Sequence, residues 1–153
     1  MKLEKSFGNL VAKAKDAQFD VIIHCQNCFH GWKKGIVKEI ASTFPEAKKA
    51  DLATRYGDKK KLGTYSSATI NLECGKTLVV ANLYAQFSFG QGKHLKDKAL
   101  RDCLMKINSD FSGLKIGYPL IGAGQAGGDW AEIEKIIDET LTDVDHQLVV
   151  FRK

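Results

Sequence analysis

The chain has 153 residues, is 44% hydrophobic and 27% charged, and carries a formal net charge of +5 at pH 7. This length favours a single domain whose core buries roughly two thirds of the unfolded surface, and the composition is that of a globular protein. The longest apolar run is far shorter than the roughly 18 residues of a membrane span, and the N-terminus lacks the apolar region of a signal peptide. We therefore expect one domain over residues 1–153 that stays in the cytoplasm and has no membrane partner.

The positive charge indicates either an anionic partner or a solvated basic surface. Lysines cluster at positions 33–34, 48–49 and 59–61. In the sequence none of these clusters alternates with aromatic residues, as a platform for single-stranded nucleic acid would. A solvated face is the commoner meaning of such runs, so nucleic acid is the less favoured ligand.

Cys25 and Cys28 enclose the motif CQNC, whose spacing is that of redox pairs and of half zinc sites. A zinc site needs further ligands; His30 could add a third, but Cys74 and Cys103 stand alone. The motif also lacks the preceding aromatic residue and the Gly-Pro of a thioredoxin. In a chain without a secretion signal the thiols stay reduced, so we expect neither a metal nor a cofactor, and cysteines that pack as small hydrophobic side chains.

The first half of the chain alternates strand and helix patterns. Residues 1–7 are predicted as a short edge strand, and 19–25 as a central strand because the run FDVIIHC is apolar without alternation. A small, polar loop covers 26–34. Helical spacing begins at Gly35 and ends at Pro45. A second short helix is predicted for 47–56, followed by a turn at 59–61.

The second half begins with a hairpin and ends with strand, helix and strand. The hairpin strands are predicted at 65–72 and 77–83. A helix at 95–111 places its apolar residues on one face. The closing elements are predicted at 116–121, 129–141 and 147–151. This order predicts an α/β fold, a mixed sheet covered by helices, with any ligand at the carboxyl ends of the parallel strands.

A run of small residues joins the strand at 116–121 to the helix that follows it. Gly122, Gly124, Gly127 and Gly128 lack a Cβ, so the backbone can turn sharply and approach a ligand's oxygens. The helix directs free N–H groups and the positive end of its dipole at the loop, which suits a phosphate. A tight turn that binds nothing remains the alternative, since such turns are ordinary in α/β proteins.

The first three of these glycines also spell GxGxxG, the dinucleotide fingerprint. In a Rossmann domain an acidic residue follows about 20 positions later, at the end of the next strand, with further βα units after it. Only 25 residues follow Gly128, and Asp143 and Asp145 precede the last apolar run, so the sequence disfavours that domain. Instead, the loops at 26–34 and 122–128 are predicted to lie side by side, each before a helix, and to hold a diphosphate.

Several side chains near these loops are candidates for binding or chemistry, and each has a structural alternative. His24 ends a buried strand, where an imidazole can exchange a proton with a ligand or serve as a hydrogen-bonded core residue. Asn27 can orient a sugar hydroxyl or bond its own turn. Asp129 precedes a helical run with a glutamate three residues later, which suits a capping box and equally a general acid or base. Phe87 and Phe89 can stack on a base or sugar, or close the end of the sheet.

Taken together, these pieces resemble the macrodomain, the ADP-ribose-binding α/β/α fold. Four segments carry the likeness in the family's order: GNL at 8–10, HCQNCFHGWKKGI at 24–36, ANLYAQFSFGQG at 81–92 and PLIGAGQAGGDW at 119–130. The histidine and asparagine ahead of the first loop, and the GDW that closes the last, look most like the subgroup that includes ADP-ribose 1″-phosphate phosphatases.

The resemblance implies a three-layer α/β/α macrodomain with a mixed central sheet. Asn9 and Leu10 would contact the adenine, in place of the family's usual Asp-Ile or Asp-Leu pair. Asn27 would hold the distal ribose, over which Phe87 or Phe89 would close. The two loops would contribute further ligand contacts, and the second would embrace the diphosphate. The ligand-binding residues expected in the loops are Gly35, Ile36, Gly122, Ala123, Gly124, Gln125, Ala126 and Gly127.

The resemblance also implies chemistry, because in phosphatase-type members residues at the positions of His24 and Asp129 are the implicated catalytic pair. Lys33 and Lys34 stand where the family usually has glycines, so they either narrow the cleft or place positive charge near a terminal phosphate. We expect an enzyme that binds ADP-ribose derivatives and hydrolyses a group from the distal ribose, foremost the 1″-phosphate. Two alternatives stay open: an ADP-ribosyl hydrolase acting on modified protein or nucleic acid, and a reader that binds ADP-ribose without chemistry.

Overall fold

The computed structural model describes residues 3–124 and 126–152. The strands within these residues are β1 (Glu4–Gly8), β2 (Val21–Cys25), β3 (Tyr65–Asn71), β4 (Thr77–Leu83), β5 (Lys115–Tyr118) and β6 (Asp145–Phe151). The α-helices are α1 (Leu10–Lys15), α2 (Ile36–Thr43), α3 (Pro45–Leu52), α4 (Asp97–Asp110) and α5 (Trp130–Thr140), and a 3-10 turn covers Lys59–Lys61. Among the described residues, no helix is both long enough and apolar enough to cross a membrane.

The strands form one mixed sheet in the order β1-β6-β5-β2-β4-β3. All neighbours pair in parallel except the β3–β4 hairpin, which is antiparallel. The central position of β2 agrees with its sequence, because a parallel strand covered on both faces is apolar at successive positions. Residues 21–24 of this strand are all buried.

Helices cover both faces of the sheet, which confirms the predicted three-layer α/β/α architecture. Val21 and Ile23 of β2 belong to the core that also holds the apolar sides of α4 and α5. Ile22 belongs to the second core, built with α1, α2 and α3. The two cores result from the alternation of side chains along a strand, which sends successive residues of β2 to opposite faces.

Several elements differ from the sequence-based prediction, three of them near the carboxyl edge of the sheet or the helices that follow it. Helix α1 was not predicted; Asn9 begins it, because its Oδ1 accepts a hydrogen bond from Ala12 N at 3.0 Å. Helix α2 ends just before Pro45, as predicted, but Pro45 also begins α3, two residues earlier than predicted, since the first position of a helix needs no N–H donor. Strand β5 stops at Tyr118, and the apolar residues after Pro119 form turns instead.

Candidate functional site

The carboxyl ends of the five parallel strands meet at one edge of the sheet. Strands β2 and β5 are adjacent, with Val21 paired to Ile116, so the segments 26–35 and 119–129 leave this edge side by side, as predicted. Strand β4 flanks β2 on the other side, and the segment 84–96 leaves the same edge. The end of β1 at Gly8 lies beyond β6. This edge therefore gathers every segment in which a ligand contact is expected.

The segment 119–129 folds back on itself and packs against 84–96. Gly128 N donates to Gly122 O at 2.7 Å, and Ala126 O accepts from both His94 N and Leu95 N at 2.7 and 3.1 Å. Gly127 has φ of +72°, and a Cβ on it would lie 2.7 Å from the carbonyl oxygen of Gly92. Only a glycine fits this approach between the two segments.

Exposure varies along the predicted diphosphate loop. Gly122 and Ala126 are buried, Ala123 is half-buried, and Gly124 and Gly127 are exposed. Gln125, which was expected to contact the ligand, lies outside the described residues. Gly124 is the described position of the loop with most room, because a Cβ there would have no neighbour within 4 Å.

Asp129 closes this loop as the N-cap of α5. Its Oδ1 accepts from Ala131 N at 3.1 Å, so the capping role predicted from the sequence is confirmed. The side chain is exposed, and the carboxylate stays accessible at the edge of the sheet. The N-terminus of this 11-residue helix directs its positive end toward the loop.

His24 is buried, as the structural alternative for this residue predicted. The side chain is 1% exposed. Its Nε2 lies 2.6 Å from Asn82 Oδ1, its Nδ1 lies 3.2 Å from Cys25 O, and its ring meets Trp32 in a T-shaped contact at 5.6 Å. Asn82 Nδ2 donates to Ala47 O at 3.0 Å, so its Oδ1 faces the imidazole and accepts from Nε2–H.

The position of His24 follows from strand alternation. His24 lies two residues after Ile22 on β2, so its side chain points to the same face of the sheet, toward the layer of α1, α2 and α3. Asp129 caps a helix of the opposite layer. Burial lowers the pKa of His24 below its ordinary value, although the acceptor oxygens of Asn82 and Cys25 beside the ring oppose that shift by favouring the protonated form. His24 is therefore buried and Asp129 is exposed, and their assignment as a catalytic pair stays a prediction.

His24 belongs to a buried polar network beneath the first loop that the sequence did not reveal. At its centre Asp51, with no exposed surface, accepts from Trp32 Nε1 at 2.7 Å and from the Tyr84 hydroxyl at 2.6 Å. Burial and the bond to Asp51 raise the pKa of Tyr84, so its hydroxyl stays protonated and donates. Ser66 links Tyr84 to Asn82 through bonds of 2.7 and 3.0 Å. These bonds tie the loop, α3 and β4 together.

Asn27 and the start of α2 shape the first loop. Asn27 Oδ1 accepts from Phe29 N at 2.8 Å and from Gly31 N at 3.2 Å, so this oxygen stabilises the turn. Gly35 precedes α2 with φ of +75°, and Ile36 is the first residue of that helix. Because Oδ1 is already engaged, the Nδ2 group is the part of Asn27 that would make the predicted contact with a ribose.

The two residues predicted to contact the adenine, Asn9 and Leu10, already make contacts within the protein. Leu10 is 4% exposed and packs in the core. Asn9 uses its Oδ1 as the helix cap, and its Nδ2 donates to Glu39 Oε1 at 3.0 Å. Phe151 pairs with Gly8 in the sheet and is 66% exposed. Sequence reasoning missed Glu39 and Phe151, because their proximity to Asn9 arises only in the folded chain.

Cys28 and Cys103 are buried, Cys25 is half-buried, and Cys74 is exposed. Cys28 is buried and its Sγ donates to Gln86 O at 3.6 Å. Burial raises the pKa of Cys25, and it raises the pKa of Cys103 to about 12. Within residues 3–124 and 126–152, no group of three or more His, Cys, Asp or Glu side chains is arranged to hold a metal.

Two surface depressions lie away from this edge. One, of about 350 Å³, lies between α4 and α5, and another, of about 470 Å³, is lined by Lys15, Asp16, Glu73 and Cys74. Neither includes a residue of the two loops.

Comparison with known proteins gives relatives in sequence and in structure. No family model matches the sequence. An uncharacterised 17.5 kDa protein from the tk–vs intergenic region of Enterobacteria phage T4 is 37% identical over 123 residues, which cover 76% of this chain and 77% of that protein. A protein of unknown function from Bacteroides thetaiotaomicron superposes with a TM-score of 0.74 at 22% identity, over 97% and 98% of the two chains.

Two further structural neighbours carry descriptive names. The macrodomain of Thermus aquaticus DarG superposes with a TM-score of 0.71 at 17% identity, over 99% of this chain and 98% of that one. Thermosipho africanus DarTG in complex with ADP-ribose gives 0.72 at 14% identity, over 96% of this chain and 41% of that one. The protein therefore has the macrodomain fold, as its sequence predicted. Its likeness to the phage protein is close enough to place the chain in the same family as that 17.5 kDa protein.

Proposed function

We propose that this protein binds ADP-ribose derivatives at the carboxyl edge of its sheet. The observation that carries the proposal is the adjacency of β2 and β5, which brings a polar loop and a glycine-rich loop to one place. Each loop precedes a helix N-terminus, where free N–H groups and the helix dipole favour phosphate. The structural neighbour from Thermosipho africanus, whose complex contains ADP-ribose, supports the same ligand.

In this proposal the ligand runs along the edge from β1 to β4. The diphosphate contacts the loop at 122–127, and Gly124 provides the open approach. The adenine lies near Asn9, where Glu39 supplies a carboxylate that can accept from the exocyclic amine and the exposed ring of Phe151 can stack. The distal ribose lies near Asn27, with Phe87 or Phe89 above it.

The proposed reaction is hydrolysis at the distal ribose, with the 1″-phosphate as the group removed. Asp129 is the exposed carboxylate at the end of the loop, and it accepts the proton of a water molecule that attacks the phosphorus. The bond between phosphorus and the ribose oxygen breaks, that oxygen takes a proton from solvent, and the products are ADP-ribose and phosphate. Lys33 and Lys34, both exposed in the first loop, supply positive charge for the phosphate. His24 has no direct part, because it is buried.

Calorimetry and a turnover assay test binding and chemistry separately. We expect ADP-ribose to bind with micromolar affinity, and ADP-ribose 1″-phosphate to release phosphate in the presence of EDTA. Asp129→Asn removes the charge but keeps a good N-cap residue, so it should abolish turnover and preserve both the fold and ADP-ribose binding. The absence of heat with millimolar ADP-ribose would contradict the binding proposal.

The same assay separates the remaining activities. Release of ADP-ribose from modified protein or nucleic acid, with the phosphorylated sugar left intact, would identify an ADP-ribosyl hydrolase instead of a phosphatase. Binding without turnover of any conjugate would identify a reader. Equal, negligible turnover by wild type and Asp129→Asn would refute the phosphatase proposal while leaving ADP-ribose binding in place.

A further inference from the structure

An aromatic cluster stands at the same edge, next to the first loop. It consists of Phe29, Tyr56, Phe87 and Phe89. The ring centroid of Phe29 lies 5.3 Å from that of Tyr56, 4.9 Å from that of Phe87 and 6.5 Å from that of Phe89, in T-shaped arrangements. Despite these contacts Tyr56 and Phe89 are 66% and 60% exposed. Large aromatic rings held in place with most of their surface in solvent are typical of a binding surface.

Backbone hydrogen bonds fix the three segments that carry the cluster. Cys28 N donates to Phe87 O at 3.0 Å, and Gly57 N donates to Cys28 O at 2.7 Å. Gly57 has φ of +69°, and a Cβ on it would lie 3.1 Å from the ring of Phe29. The rings are therefore arranged before any partner arrives, which lowers the entropy cost of binding.

The positive charge of the protein is concentrated in these same segments. Residues 26–35, 53–64 and 84–96 contain eight of the 23 lysines and arginines but one of the 18 aspartates and glutamates. Their net charge is +7, so the rest of the chain carries −2. The exposed cations of the first two segments are Lys33, Lys34, Arg55, Lys59 and Lys60.

Cations and rings are also interleaved in space. Lys59 Nζ lies 5.2 Å from the centroid of the Phe87 ring. Lys59 follows Tyr56 by three residues, and the first loop presents Phe29 followed by Lys33 and Lys34. A partner that suits this surface must offer both regularly spaced negative charge and flat apolar groups.

We propose that the aromatic cluster and its surrounding cations bind single-stranded nucleic acid. Phosphates contact the exposed lysines and Arg55, while unpaired bases stack on Tyr56 and Phe89. The bases of a duplex already stack on one another, so they are not available to stack on these rings. An acidic polypeptide would satisfy the cations but leave the rings without flat partners. This surface overlaps the proposed distal-ribose site, because Phe89, Lys33 and Lys34 belong to both, but none of its evidence involves the diphosphate loop.

Fluorescence anisotropy with a labelled oligonucleotide of about 12 nucleotides tests the surface, a length within the range that one single-strand-binding module covers. We expect the single strand to bind at least tenfold more tightly than the same sequence in a duplex. Tyr56→Ala should weaken binding about tenfold, whereas Tyr56→Phe, which keeps the ring, should bind as wild type does. Because Tyr56 is largely exposed, neither change threatens the fold.

A pair of lysine variants tests the electrostatic part. Lys59→Gln should reduce the slope of log affinity against log salt by about 0.7, the value for one phosphate contact on a single strand. Lys76→Gln makes the same change in the β3–β4 turn, at the opposite edge of the sheet, and should leave the slope unchanged. Equal binding by wild type and Tyr56→Ala would overturn the proposal, as would equally strong competition by polyglutamate. Calorimetry with ADP-ribose on the same variants reports separately on the proposed function.

Discussion

Gly124 offers a substitution that reports on the ligand without disturbing the protein. It is exposed, a Cβ on it would meet nothing within 4 Å, and its φ is outside the left-handed region. Gly124→Ala should therefore fold normally, and stabilise the protein by about 0.4–1 kcal/mol because the unfolded chain loses freedom. In the proposed complex the same methyl group enters the space next to the diphosphate. Overpacking of this kind costs about 1–3 kcal/mol, which raises Kd roughly 5- to 150-fold.

Gly127→Ala is the contrasting variant. Its φ of +72° places an L side chain in a strained conformation, and the Cβ would lie 2.7 Å from Gly92 O. The left-handed conformation alone costs about 1–2 kcal/mol, so this variant should lose stability as well as affinity. Denaturant unfolding and calorimetry with ADP-ribose measure the two quantities. Unchanged ADP-ribose affinity in a folded Gly124→Ala protein would show that the ligand does not approach this loop, and our assignment of the diphosphate would fail.

Three further predictions concern the buried network and the adenine end. Tyr84→Phe removes the donor to Asp51 and should lower the free energy of unfolding by about 1–3 kcal/mol, while Tyr56→Phe, with an exposed ring, should not change it. Burial lowers the pKa of His24 below 6.5, so the unfolded chain binds a proton at a higher pH than the folded chain does. As the pH is lowered from 6.5, the free energy of unfolding should therefore decrease by up to about 1.4 kcal/mol per pH unit. His24→Gln should reduce that slope. A pH-independent difference between the two proteins would contradict the burial of a neutral imidazole. Glu39→Gln should reduce the preference for ADP-ribose over its hypoxanthine analogue about tenfold, which is the effect of one hydrogen bond to a charged group. An unchanged ratio of the two dissociation constants in calorimetry would show that Glu39 does not contact the adenine.

The apolar and helical patterns were sufficient for most of the fold. The unalternating run at 19–25 predicted a strand covered on both faces, and β2 is the central strand between β4 and β5. The order of elements predicted parallel pairing and hence a common edge for the two loops. Helix α1 escaped prediction because six residues give too little periodicity, and its N-cap was instead interpreted as part of a ligand motif.

The candidate site was less accessible to sequence reasoning, for a geometric reason. Motif spacing located the loops and the capping carboxylate of Asp129, because those features are local. It could not decide that His24 faces the buried layer, since a single polar residue at the end of an apolar strand has the same spacing in either orientation. Nor could it place Glu39 beside Asn9, 30 positions earlier in the chain.

The sequence by itself determined the α/β architecture, the glycine-rich loop and the excess of lysine, because backbone conformation and composition are properties of short segments. Only the tertiary structure decided which side chains share a surface. Phe29, Tyr56 and Phe87 are scattered along the chain and looked separate from the lysine runs, yet two backbone hydrogen bonds at Cys28 draw their segments together. Contacts between distant segments depend on strand order and loop packing, and no local pattern encodes them.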